Sequence, residues 1–239
     1  MQHIRAITLD LDDTLWEIGP VISRAEAELW CWLSENCPQI PALFSQQAAL
    51  ELREEVISEF RDRSHDLRFL RTTVLERMAA EAGYASELAD HAFDIFDGAR
   101  NRVDLFPDVV PALTVLAERF RIIAVTNGNA NLEKIGIRHL FEDVVTAVDA
   151  GAAKPEPAIF EEAVRRAGVA PFEALHVGDH PELDIAGAKA AGLTTAWMNR
   201  RGESWPEHLS RPDAIISTVS DLHLLVAPAV LAGRCDSIR

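Results

Sequence analysis

The segment Ala6-Ile7-Thr8-Leu9 is apolar on both alternating faces and runs straight into Asp10-Leu11-Asp12-Asp13-Thr14-Leu15. A strand with that pattern belongs in a sheet covered on both sides, and such sheets are parallel. Their ligands bind in the crevice at the carboxyl ends of the strands, which is where Asp10 falls. Side chains alternate along an extended backbone, so Asp10 and Asp12 point the same way while Leu11 points back into protein. Carboxylates crowded into one small volume repel each other. A hard divalent cation relieves that repulsion, and Mg²⁺ takes one or two carboxylates together with waters and phosphate oxygens. The simpler alternative is a helix N-cap cluster, because Asp and Thr both cap helices.

From Val21 to Arg102 the rhythm is different, with apolar residues recurring at spacings of three and four. This predicts helices over 21–34, 46–63, 67–82 and 86–101, broken at Cys37-Pro38, Ser64-His65-Asp66 and Gly83-Tyr84. After Pro107 strands and helices alternate. Helices are expected over 109–120, 131–140, 156–167 and 182–191, and strands over 121–126, 144–148, 174–177, 194–198 and 214–217; the apolar 222–232 stretch reads as helical. Alternation of this kind predicts an α/β fold with a Rossmann-like parallel sheet and helices on both faces. An all-helical block is inserted after its first strand. The expected division is a core of residues 1–17 and 103–239 and a helical domain of residues 18–102.

Three further strand ends carry polar residues in the same place as the first. Ile122 to Val125 leads into Thr126-Asn127-Gly128-Asn129, a hydroxyl and an amide that can hold phosphate oxygens, with a glycine that permits close backbone approach; taken by itself, an ordinary Asn-Gly turn is the favoured reading. Lys154 stands alone in a loop of small residues before Pro155, where it can neutralise phosphate charge, although most lysines are simply solvated. Leu175 to Val177 ends in Gly178-Asp179, a candidate metal ligand, and Asp184 follows five positions later, where capping a helix is its alternative role.

The formal net charge of −15 opposes binding to nucleic acid or to anionic membranes. Cys31, Cys37 and Cys235 form no CxxC pair, which suggests neither a disulfide framework nor a zinc site. No leader-like or membrane-spanning run is apparent, so a cytoplasmic location is expected.

With these motifs in order, the chain resembles the haloacid dehalogenase superfamily of hydrolases. Asp10 to Thr14 resembles the first motif, Thr126-Asn127 the second, Lys154-Pro155 the third, and Gly178-Asp179 with Asp184 the fourth. The helical block resembles the C1 type of cap. The resemblance implies a magnesium-dependent phosphatase in which Asp10 attacks phosphorus and Asp12 serves as acid and base. It further implies that Thr126, Lys154 and Asn127 with Gly128 hold the transferring group. Mg²⁺ would be held by Asp10, Asp179 and the backbone carbonyl of Asp12, with Asp184 orienting its waters.

Asp12 separates phosphatases from dehalogenases within that superfamily, since loss of halide needs no proton and the dehalogenases lack an aspartate there. A phosphonatase would need a lysine in the cap, and residues 18–102 contain none. A phosphomutase remains open, as do a phospho-acceptor signalling domain and an inactive ligand-binding relative.

Several stretches resemble the bacterial phosphatases of riboflavin metabolism that act on flavin mononucleotide and ribitylaminouracil phosphate. They include Pro20-Val21-Ile22, His65-Asp66 with the arginines after it, and Ile123 to Ala130. That likeness implies substrate contacts from Arg68 or Arg71 and stacking of a planar ring on Trp16. The expected partner is a small phosphorylated metabolite, with the protein a monomer or homodimer.

Overall fold

The computed structural model describes residues 1–226. Six strands form one parallel sheet: β1 (Ala6–Leu9), β2 (Arg121–Thr126), β3 (Asp143–Thr146), β4 (Ala174–Gly178), β5 (Thr194–Met198) and β6 (Ala214–Ile216). Their spatial order is β3-β2-β1-β4-β5-β6, with every adjacent pair parallel. All carboxyl ends therefore lie on one edge. The order reverses between β1 and β4, and the crevice of an open α/β sheet forms at that switch point.

Alternation divides the sheet residues between two apolar layers. Ile7, Leu9, Ile122, Ala124, Leu175 and Val177 pack on one face together with Val109, Leu113 and Leu116 of the helix Val109–Ala117. Ala6, Ile123, Val125 and Ala174 pack on the other with Phe160 and Ala163 of the helix Pro157–Ala167. Each fully buried aliphatic or aromatic side chain contributes about 1.5–3 kcal/mol, which makes these layers the main support of the strand ends.

The insertion begins immediately after the β1 loop. It comprises α1 (Ile18–Asn36), α2 (Gln39–Leu43), α3 (Gln46–Glu59), α4 (Leu67–Glu81) and α5 (Leu88–Arg100). Ser45 Oγ caps α3 by accepting from Ala48 N, and Asp66 caps α4 by accepting from Phe69 N. Each such cap is worth about 1 kcal/mol. Leu29, Leu33, Val56, Leu70, Met78 and Phe93 belong to an apolar cluster of the insertion separate from the two sheet layers. The chain enters and leaves this block side by side, since Trp16 bridges Leu105 antiparallel and Phe106 N donates to Leu15 O.

The differences from the sequence pattern are local. The expected 144–148 strand stops at Thr146, whose hydroxyl caps the short helix Ala147–Ala150, so Val148 is helical and exposed. The expected 131–140 helix is divided by Gly136 at φ 88° into Leu132–Ile135 and a 3₁₀ turn over Arg138–Leu140. The 46–63 helix ends at Glu59, and α2 occupies the Pro38 to Phe44 connection, where none was expected. Residues 181–186 form a π turn before the short helix Gly187–Ala190. A helix runs over Leu222–Val226; the remainder of the expected C-terminal helix, like Cys235, lies outside the described residues. No helix among the described residues is long and apolar enough to cross a membrane.

Candidate active site

Asp10 follows β1 directly, and its amide donates to Val177 O at 2.9 Å, so the pairing of β1 with β4 extends to the residue itself. Its carboxylate is almost fully buried. Oδ2 accepts from Thr14 Oγ1 at 3.2 Å, and Oδ1 accepts from Lys154 Nζ at 2.5 Å. Lys154 also donates to Asp184 Oδ1 at 2.6 Å. This lysine comes from the loop after the Ala147–Ala150 helix, and Asn127 holds it there: the Asn127 side chain accepts from Lys154 N at 2.7 Å and donates to Lys154 O at 3.0 Å. Thr126 ends β2 buried, with its hydroxyl accepting from Gly128 N at 2.9 Å.

Asp184 lies in the π turn, where it is buried and fully engaged. Oδ1 meets Lys154 and, at 3.3 Å, His176 Nε2; Oδ2 accepts from His180 N at 2.9 Å. Gly178 permits this arrangement, because a Cβ there would stand 2.2 Å from Asp184 Cγ. His176 is buried in β4 opposite Thr8, whose hydroxyl is 2.8 Å from Nδ1, and its ring meets Phe160 edge to face.

Carboxylate oxygens of Asp10, Asp179 and Asp184 all lie within 4.8 Å of one another. Burial pushes the Asp10 carboxyl well above the usual range; Lys154 opposes this, while Asp184 and Asp179 add to it. For Asp179, burial and then the charges of Asp184 and Asp13 raise the pKa to about 7. Burial also acts on Asp184, but Lys154 and His176 outweigh it and hold that carboxyl below the ordinary value. The charge of Lys154 is likewise opposed by burial and restored by Asp10 and Asp184, which set its pKa above that of a free lysine. Burial lowers the pKa of His176. One ammonium thus serves two of the three carboxylates, and Asp179 takes part in no ion pair among the described residues. An all-oxygen set with surplus negative charge fits a hard cation such as Mg²⁺.

The Asp12 carboxylate is not part of that cluster. It faces Arg100 and Trp16: Arg100 Nη2 donates to Oδ1 at 2.8 Å and Oδ2 at 2.7 Å, and Trp16 Nε1 donates to Oδ1 at 2.9 Å. Trp16 is completely buried, so it has no open face on which a planar ring could stack. Its link to the site runs through the indole N–H instead. Arg68 is exposed, covers the Phe93 ring at 4.4 Å and is not among the residues lining the cavity beside Arg71. Arg71 lies 3.5 Å over the Phe96 ring, donates to Glu26 Oε1 at 2.7 Å, and lines a cavity of about 450 Å³ among the inserted helices. Leu29, Val74, Met78 and Phe96 form much of its wall, and Asn129, from the turn after β2, reaches it from the sheet side.

Sequence reasoning missed Arg100, His176 and the side-chain role of Asn127. A signal for Arg100 was present, since it continues the apolar stripe of Phe93 and Phe96, where a charge is out of place. His176 likewise interrupts an otherwise apolar strand.

The family model for haloacid dehalogenase-like hydrolases matches residues 4–192. The chain belongs to that family. It is 32% identical over 232 residues to the 5-amino-6-(5-phospho-D-ribitylamino)uracil phosphatase YigB of Escherichia coli, covering 94% of this chain and 97% of that one. It is 33% identical over 207 residues to a glyceraldehyde 3-phosphate phosphatase of Methanopyrus kandleri, covering 82% and 84% of the two chains. Among solved structures, the crystal structure of a 2-haloacid dehalogenase from Pseudomonas syringae pv. Tomato DC3000 aligns with a TM-score of 0.89 and 41% identity, covering 94% of this chain and 98% of that one.

Proposed function

We propose that this hydrolase is a cytoplasmic, magnesium-dependent phosphomonoesterase that works through an aspartyl-phosphate on a small phosphorylated metabolite. The observation that carries the reading is the convergence of Asp10, Asp179 and Asp184 at the switch point of the sheet, with Lys154 paired to two of them. Several relatives are phosphatases, among them YigB and the M. kandleri enzyme.

In the first step an Asp10 oxygen forms a bond to phosphorus. A carboxylate is a competent nucleophile without an accompanying base. The ester P–O bond breaks, and its electron pair goes to the leaving oxygen, which takes a proton from Asp12. In the second step Asp12 takes a proton from water as that water attacks the phosphoryl group, and Asp10 is released. Lys154, Thr126 and the backbone at Asn127 and Gly128 stabilise the charge on the transferring oxygens. Mg²⁺, held by Asp10, Asp179 and the Asp12 carbonyl with Asp184 behind them, would neutralise charge on the phosphoryl group.

Residues 18–102 act as a cap over this site, and the cavity they enclose takes the leaving group. Its apolar wall favours an alcohol bearing a planar ring system over a triose. That supports FMN or 5-amino-6-(5-phospho-D-ribitylamino)uracil as substrate, in line with the activity for which YigB is named.

The likeness to the P. syringae protein raises a second reading, dehalogenation of a 2-halo acid. The proton-bearing role open to Asp12 and the three-carboxylate cluster are superfluous to halide loss. A screen of phosphorylated metabolites with Mg²⁺, ranked by kcat/KM and run beside chloride release from 2-chloropropionate, separates the two. Phosphate release is expected, and halide release without phosphatase activity would overturn the proposal. Transfer of phosphate between positions of one substrate with no net release would mark a mutase instead.

A further inference from the structure

We propose that Arg100 is a positioning residue that holds the Asp12 carboxylate in the orientation needed to protonate the leaving oxygen; this rests on the phosphomonoesterase reading above. Arg100 is the last residue of α5 and is 1% exposed. Burying a guanidinium costs several kcal/mol unless it is well paired. Here the charge pairing is directed at one carboxylate. Nη2 reaches both Asp12 oxygens, Nε donates to Asn129 Oδ1 at 3.3 Å, and Nη1 is buried with no hydrogen-bond partner among the described residues. With Trp16 Nε1 also on Oδ1, rotation of the carboxylate about its Cβ–Cγ bond breaks at least one contact.

The turn after β2 leaves room for this arrangement. A Cβ on Gly128 would stand 2.8 Å from Asp12 Oδ2, 3.2 Å from Thr126 Oγ1 and 3.3 Å from Arg100 Nη2. Three segments distant in sequence therefore converge on the orientation of one carboxylate: the β1 loop, the Gly128 turn and the end of α5. A simple tether between insertion and sheet would not need the grip on both oxygens.

Leaving-group chemistry distinguishes positioning from tethering. An alkoxide needs the proton of Asp12 as the P–O bond breaks, whereas 2,4-dinitrophenolate departs as the anion. The test compares kcat/KM, which reports steps through release of the alcohol, for the best alkyl phosphate of the metabolite screen and for 2,4-dinitrophenyl phosphate. For Arg100→Ala, kcat/KM on the alkyl ester is expected to fall roughly 10²-fold and on the aryl ester less than about 3-fold. Arg100→Lys should lie between, because an ammonium lacks the planar fork. A burst of dinitrophenolate should also appear in the variants, since hydrolysis of the aspartyl-phosphate still depends on Asp12.

An active wild type whose Arg100→Lys variant loses the same factor on both esters would overturn the assignment, and that milder change keeps it testable if Arg100→Ala fails to fold. Wild-type protein inert toward both esters would overturn the phosphatase reading itself, and this assignment with it.

Discussion

Lys154 and Asp10, 144 positions apart in the chain, are joined at 2.5 Å by a nearly water-free ion pair at the carboxyl edge of the sheet. The ammonium is shared with Asp184, so the proposed nucleophile and a second aspartate are bound to one cation while Asp179 is left over.

Asp10→Asn keeps the volume and leaves Lys154 its bond to Asp184, but an amide oxygen does not attack phosphorus. Phosphate release from an aryl phosphate should fall on the order of 10³-fold or more, with far-ultraviolet circular dichroism unchanged. Full turnover in this variant would remove Asp10 from the chemistry.

Activity should vanish with a chelator and return with added Mg²⁺, because the cluster offers only hard oxygen donors. Asp179→Asn should raise the Mg²⁺ concentration needed for half-activity by tenfold or more, as an order-of-magnitude expectation for loss of one charged ligand. An Asp179→Asn enzyme with unaltered Mg²⁺ dependence would exclude it as a ligand.

The raised Asp179 pKa gives a pH dependence of defined sign. The folded value is about 7, above the ordinary carboxylate value of 3.8, so the fold binds this proton more tightly than the unfolded chain does. Its contribution to stability is complete below about pH 4 and is lost as pH rises through 7. Metal-free protein should therefore lose thermal stability between pH 5 and 8 by more than Asp179→Asn does, as followed by calorimetry in chelator. Equal slopes for the two proteins would contradict the shift.

Asn127 is worth testing by truncation. Its side chain satisfies both the amide and the carbonyl of Lys154. Asn127→Ala leaves those groups unpaired in a half-buried place and should cost about 1–3 kcal/mol in denaturant unfolding. It should also lower kcat, since Lys154 is no longer held against Asp10. An effect on stability alone would confine Asn127 to the scaffold.

Filling the cavity should narrow substrate choice. Val74 is buried and lines the wall, so Val74→Phe is expected to reduce kcat/KM for a ring-bearing phosphate about tenfold while sparing glyceraldehyde 3-phosphate. Equal losses on both would place the leaving group elsewhere.

Much of the molecule can be read from local pattern. The apolar run Ala6 to Leu9 and its counterparts at 121–126, 174–178 and 194–198 gave the parallel sheet, because a strand buried on both faces needs no partner to announce itself. Asp10, Thr126, Lys154 and Asp179 stood out because polar residues at strand ends break that pattern. Boundaries were less legible: Thr146 caps a helix where a continuing strand was expected, since a single hydroxyl bonded to Asp149 N outweighs the β propensity of Val148.

The sequence alone determined most of the elements and the polar residues that follow the strands, though not every boundary, for those properties depend on spacing and on the polarity of neighbours a few positions away. The tertiary structure decided what the ends meet. That Arg100 turns inward to grip Asp12, that Trp16 is sealed off from any substrate ring, and that Arg68 faces solvent while Arg71 lines the cavity all follow from how distant segments of the chain pack together. Charge pairing across 88 positions leaves no local periodicity to read, and only the folded chain brings the two partners within reach.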